Sequence, residues 1–162
     1  ALASLGLCIG ADVPVCLDSG PAMMWGKGEL IERMDTLPDF WFVLVNPGVA
    51  VSTASVFAAL NAPPLAEKEA GPVMPQFADV TALAQWLDAH GNDMERSAMK
   101  IAPAIFDAAT ALAATRDCRV ARMSGSGATC FGIYDDEKAA RAAETALRIV
   151  HPDWWVAAAK RL

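Results

Sequence analysis

Hydrophobic positions along this chain follow two rhythms, one of helical and one of strand period. Leu2, Leu5 and Ile9 recur at helical spacing and stop at Gly10, a natural C-cap, so the chain opens on the last turns of a predicted helix. Residues 13–17, 22–25 and 29–34 read as short strands, the last two joined into a hairpin by Gly26-Lys27-Gly28. Lys27 fits a solvated hairpin tip, and an anion contact is the alternative. Residues 40–45 form an unbroken aromatic and β-branched run, which predicts a strand buried on both faces, and Asn46-Pro47-Gly48 stops it. Ser52 or Thr53 then caps a helix over 54–60. Pro63, Pro64, Pro72 and Pro75 mark 61–78 as a loop. Asp79 caps a helix over 81–89, with Leu83, Trp86 and Leu87 on one face and Gly91 at its end. Asn92 and Asp93 cap the next helical stretch, which Pro103 interrupts and Ile105, Ala109 and Leu112 resume. Strands are predicted at 119–123 and 130–134, then a helix opened by Asp135-Asp136-Glu137, then a strand at 154–159.

From Phe40 onward the order is strand, helices, strand, strand, helix, strand. That order predicts an α+β fold: a ferredoxin-like, split βαβ antiparallel sheet with helices on one face. Two domains are expected, 1–37 and 38–162. The opening helix has no N-cap, so the sequence is expected to be the back part of a longer protein.

Composition narrows the partners. With 54% hydrophobic and 20% charged residues among 162, the chain can build a substantial core and is too apolar to be disordered. A net charge of −6 without clustered Lys and Arg argues against nucleic acid. Cys8, Cys16, Cys118 and Cys130 contain no C-x-x-C pair and stand apart from His90 and His151, so buried, reduced thiols are expected rather than zinc. The start of the chain lacks a basic n-region, and the apolar runs are too short to span a bilayer. A cytoplasmic protein with no membrane contact is expected.

Two small-residue segments carry the candidate chemistry. Met123-Ser124-Gly125-Ser126-Gly127-Ala128-Thr129 lies between two predicted strands and fills no core. It is either a flexible hairpin turn or a run of uncovered amides that a phosphate can approach. Gly10-Ala11-Asp12-Val13-Pro14 sets one carboxylate in a loop of similar character. Thr53 reads as a helix cap, Phe57 as core, and Asp93 as a cap with catalysis as the alternative.

Taken in order, several motifs resemble the GHMP kinase superfamily, in its branch acting on cytidine-diphosphate-linked methylerythritol. They are Leu7-x-x-Gly10-Ala11-Asp12-Val13-Pro14, Gly20-x-Ala22, Gly26-x-Gly28-Glu29, Asn46-Pro47-Gly48-Val49 with Thr53 and Phe57, Asn92-Asp93-x-Glu95, and Met123 through Ala128. The resemblance implies the tail end of an N-terminal kinase domain followed by the C-terminal kinase domain. It implies ATP-dependent phosphorylation of the 2-hydroxyl of the cytidine-diphosphate-linked polyol, in the non-mevalonate route to isoprenoid precursors. Asp12 would accept the hydroxyl proton. Thr53 and Phe57 would line the cytosine pocket, Phe57 as one side of an aromatic sandwich. Gly125, Ser126 and Gly127 would lie beside the nucleotide phosphates with bare amides. ATP and Mg2+ are the implied cofactors, with no metal ligand identified.

The same resemblance puts the main phosphate loop and a lysine beside the catalytic aspartate ahead of Ala1. The N-terminal half of the same enzyme is therefore the expected partner, and these residues alone are expected to bind ATP weakly and transfer no phosphoryl group. The tyrosine expected on the other face of the cytosine has no counterpart, since Tyr134 follows the third motif. Two rivals stay open: another kinase of the superfamily, of homoserine or mevalonate type, and a non-enzymatic ligand-binding or dimerisation module.

Overall fold

The computed structural model describes the chain apart from residues 1, 11, 18, 19, 27, 29, 35, 36, 63–72, 74 and 162. The readings of Ala11, Lys27, Glu29, Pro63, Pro64 and Pro72 lie outside the described residues. The chain divides into two compact units, one made of Ala1–Leu37, Pro63–Phe77 and Leu162, the other of Pro38–Ala62 and Ala78–Arg161.

In the first unit, α1 (Leu2–Ile9) is followed by the one-turn α2 (Val13–Cys16) and a hairpin of β1 (Ala22–Trp25) and β2 (Leu30–Arg33). Residues 13–17 are thus a helical turn and not the expected strand. Pro14 sits at the start of that turn, where its fixed φ suits a helix and its missing N–H costs nothing, and the Leu17 amide closes the turn on the Pro14 carbonyl. The guanidinium of Arg33 donates to the carbonyls of Gly20 and Val15, joining the hairpin to the end of α2. Cys8 and Cys16 are exposed, against the expectation of buried thiols, because they lie on faces of α1 and α2 that nothing described covers.

The second unit holds β3 (Trp41–Asn46), α3 (Thr53–Leu60), α4 (Val80–His90), α5 (Glu95–Ile101), α6 (Ala104–Ala113), β4 (Val120–Met123), β5 (Cys130–Tyr134), α7 (Glu137–Val150) and β6 (Trp155–Lys160). Its sheet runs β4-β5-β3-β6 with every neighbour antiparallel, the split βαβ order. Three helices are capped as their sequences require: the side chains of Ser52, Asp79 and Asp136 accept from the amides of Ser55, Ala82 and Ala139.

Helices α6 and α7 cover one face of the sheet. Ile105, Leu112 and Leu147 meet Val43, Val45, Met123, Cys130, Tyr134 and Val156 in a single buried cluster. On β4, Ala121 and Met123 join this cluster, so Val120 and Arg122 point to the opposite face. There the Arg122 guanidinium donates to the carbonyls of Leu87 and Asp88 near the end of α4. Helix α4 therefore covers the second face at the β4 edge, a refinement of the one-face expectation. On β3, Val43 and Val45 are fully buried while Phe42 and Leu44 on the other face are half-buried, so the run is not buried equally on both sides. Among the described residues no helix is long and apolar enough to cross a membrane.

Burial also fixes the protonation of two core groups. Desolvation, reinforced by the nearby Glu95, pushes the Cys130 thiol from its ordinary value of 9.0 up to about 12, and burial raises the Tyr134 phenol above its ordinary 10.0. Both groups are neutral when protonated, and the folded state holds their protons after the unfolded chain has released them. Their contribution to stability is therefore whole below pH 9.0 and is lost as pH rises toward about 12. Urea unfolding followed across that window should show stability falling with pH, and falling less steeply in Cys130→Ala. Equal slopes in the two proteins would contradict the assignment.

Candidate active site

The connection from β4 to β5 is an ordered turn rather than a loose one. The Ser124 amide donates to the Thr129 carbonyl at 2.9 Å, and the Gly127 amide donates to the Ser124 carbonyl at 3.0 Å. Gly125 and Gly127 take φ of +54° and +89°, backbone that side chains rarely adopt. The amides of Gly125 and Ser126 meet no hydrogen-bond partner among the described residues. Two of the three expected bare amides are thus of neighbouring residues 125 and 126, whereas that of Gly127 is spent inside the turn. Adjacent uncovered N–H groups beside a left-handed residue form a concavity suited to an anion.

Three side chains hold this turn from outside. Thr53 and Ser126 share a hydrogen bond of 2.8 Å between their hydroxyls. Ser52, not Thr53, is the N-cap of α3, which leaves the Thr53 hydroxyl for the loop. Asn46 at the end of β3 donates from Nδ2 to Thr129 Oγ1 at 3.0 Å and accepts the Gly48 amide on Oδ1. Asn92 donates from Nδ2 to the carbonyls of Met123 and Gly125. Asn92 also accepts the Met94 amide on Oδ1, so its role goes well beyond the expected cap, while Asp93 makes no capping bond.

Phe57 lies one turn beyond Thr53 on the same face of α3, because residues four apart align. It is 57% exposed and is not a core residue. Tyr134, by contrast, is fully buried, its hydroxyl 2.6 Å from Thr115 Oγ1, which removes it from any ligand surface. Asp12 belongs to the first unit. It occupies the N-cap position of α2, yet its side chain makes no cap bond and is exposed. Among the described residues no group of three or more His, Cys, Asp or Glu could hold a metal ion.

The roles of Asn46 and Asn92 as loop anchors were not read from sequence. Both sit where an amide-bearing residue already has a local explanation, a strand stop in one case and a cap in the other. The one available signal is that each falls inside a motif that carries the resemblance to the kinase superfamily.

The fold, with its glycine turn between the two strands of the hairpin, is that of a kinase C-terminal domain, and residues 73–153 match the family model described as GHMP kinases C terminal. The chain belongs to the GHMP kinase family. It is 50% identical over 155 residues to the 4-diphosphocytidyl-2-C-methyl-D-erythritol kinase of Parvibaculum lavamentivorans, covering 96% of this chain and 53% of that relative. It is 47% identical over 161 residues to the protein of the same name from Paramagnetospirillum magneticum, covering 99% of this chain and 55% of that one. The chain thus spans about half the length of the curated relatives it matches. Among solved structures, a 4-(cytidine 5'-diphospho)-2C-methyl-D-erythritol kinase matches with a TM-score of 0.70 at 28% identity, over 98% of this chain and 56% of that one. Homoserine kinase from Cytophaga hutchinsonii matches with a TM-score of 0.60 at 18% identity, over 94% of this chain and 51% of that one, a likeness of fold alone.

Proposed function

We propose that this chain supplies the C-terminal part of an ATP-dependent kinase acting on the 2-hydroxyl of 4-diphosphocytidyl-2-C-methyl-D-erythritol. The observation that carries this reading is the 50% identity over 155 residues to a relative of that name. In the proposed reaction the substrate hydroxyl oxygen bonds to the γ-phosphorus of ATP, the bond to the bridging oxygen of the β-phosphate breaks, and ADP leaves. Asp12 takes the hydroxyl proton, a task suited to its exposed carboxylate, which makes no capping bond. The uncovered amides of Gly125 and Ser126 fit a polyphosphate and would donate to oxygens whose charge grows during transfer. Thr53 and the exposed ring of Phe57 would receive the cytosine.

The remaining half of such an enzyme is the partner this reading requires. Mg2+ is part of the reading as the usual companion of ATP. Among the described residues no cluster of three or more His, Cys, Asp or Glu marks a site for it, so no ligand is assigned and no step passes through it.

A chimera tests the proposal: this chain replaces the matching segment of the Parvibaculum lavamentivorans relative, and ADP release is followed with the cytidyl substrate and with homoserine. Turnover with the cytidyl substrate is expected. In that chimera Phe57→Ala should raise KM for the cytidyl substrate by ~10-fold or more, as loss of one aromatic stacking partner does, and leave KM for ATP within ~2-fold. Equal weakening of both substrates would remove the cytosine assignment, and turnover with homoserine alone would replace the function.

A further inference from the structure

We infer that Asn92 is a positioning residue that aims the Ser126 amide. Its consequence for catalysis rests on the reading of the turn as a phosphate cradle. The Asn92 Nδ2 group donates to the Met123 carbonyl at 3.1 Å and to the Gly125 carbonyl at 2.9 Å. The peptide between Gly125 and Ser126 is trans, so its C=O and N–H point in opposite directions. Fixing the Gly125 oxygen on Asn92 therefore turns the Ser126 N–H away from Asn92. That amide has no partner of its own among the described residues. Without the tether, little opposes rotation of this peptide plane, because it follows a glycine at φ +54°, where a Cβ would meet nothing within 4 Å.

The anchor itself is fixed. Asn92 Oδ1 accepts the Met94 amide at 3.0 Å, and the Glu95 amide closes on the Asn92 carbonyl at 3.0 Å. Arg122, the residue before Met123, reaches the carbonyls of Leu87 and Asp88 on one side and Glu95 on the other, so it braces both ends of the link between α4 and α5 that carries Asn92. The other two tethers act elsewhere: Asn46 bonds a side-chain hydroxyl at the far end of the turn, and Thr53 bonds the Ser126 side chain. Among these tethers Asn92 is the one that holds a backbone carbonyl next to the uncovered amides.

The decisive variant is Asn92→Ser. Its hydroxyl can still accept the Met94 amide, as in an ST-turn, but is too short to reach both carbonyls, and it adds no charge. Two measurements are made on this chain in solution. The residual dipolar coupling of the Ser126 N–H bond should change in the variant while couplings of amides in β3 stay fixed. Titration with inorganic tripolyphosphate should shift the Gly125 and Ser126 amide resonances in the parent chain and bind ~10-fold more weakly in the variant. An unchanged Ser126 coupling, or equal tripolyphosphate binding, overturns the inference. If Asn92→Ser fails to fold, Asn92→Asp, which keeps the Oδ1 acceptor and loses both donors, is read by the same dipolar coupling.

In the active chimera Asn92→Ser should lower kcat by ~10-fold or more with KM for the cytidyl substrate within ~2-fold. A kcat unchanged there would overturn the catalytic consequence. An inactive parent chimera would instead count against the proposed function and leave the dipolar result to decide the inference.

Discussion

In the chimera that carries this chain, Asp12→Asn is expected to lower kcat by ~10²–10⁴-fold and to leave KM for ATP within ~3-fold. Asparagine matches aspartate in shape and in capping ability, so it separates two readings of the residue. As a helix cap, Asp12 would resemble Asp79 and Asp136, whose carboxylates each accept a backbone amide at 2.8 Å. Asp12 stands at the same kind of position before α2 and makes no such bond. Loss of its charge should therefore not move the thermal midpoint of the chain, whereas an asparagine cannot take the proton of an attacking hydroxyl. A variant with unaltered kcat would return Asp12 to the role of a surface carboxylate. A fall in the midpoint together with activity would mean that the Asp12 charge supports the fold instead.

Elements with a complete local signal were legible in the sequence, and the failures share one cause. The helices of the second unit each combine an apolar stripe with a capping residue or a proline, and those signals are local. Strands β3 and β5 were equally clear because β-branched and aromatic residues crowd together. Residues 13–17 deceived because Val13 and Val15 suggest a strand, while Pro14 between them is at home in a first helical turn. Neither valine determines the outcome alone. The placement of α4 on the second face was invisible for a different reason: it depends on which way Arg122 points, and that follows from sheet register rather than from period. Tertiary context also decided Cys8, Cys16 and Phe57, where an apolar side chain says that burial is favourable but not whether a partner surface is present.

The candidate site was legible as a list of residue types, and the bonds that hold it together were not. Gly125, Ser126 and Thr53 could be marked from sequence, yet the bond between Thr53 and Ser126 joins positions 73 residues apart. The hold of Asn92 on Gly125 spans 33. Such contacts come from the closing of the β4-β5 hairpin over α3 and the α4-α5 link, and no local pattern encodes them.

Gly127 offers the sharpest test of how the turn rests on the core. A Cβ built there would lie 2.9 Å from Met123 Sδ, closer than real side chains come, and 3.0 Å from Ile105 Cδ1, a contact that forces the neighbour to give way. Both atoms belong to flexible side chains, which on a surface would swing aside. Here Ile105 is fully buried and Met123 nearly so, and Ile105 packs in the same cluster as Met123 and Leu112, so movement at Gly127 must be passed into the sheet. With overpacking added to the strain of an L-residue at φ +89°, Gly127→Ala should destabilise the chain by about 3 kcal/mol in urea unfolding. Gly125→Ala is the internal control, since its φ is also positive but nothing lies within 4 Å of the added carbon. Backbone strain alone should make that variant about 1 kcal/mol less stable. Equal losses in the two variants would show that the turn floats free of Ile105 and Met123. A larger loss at Gly127 ties the geometry of the two uncovered amides to the packing of α6 beneath them.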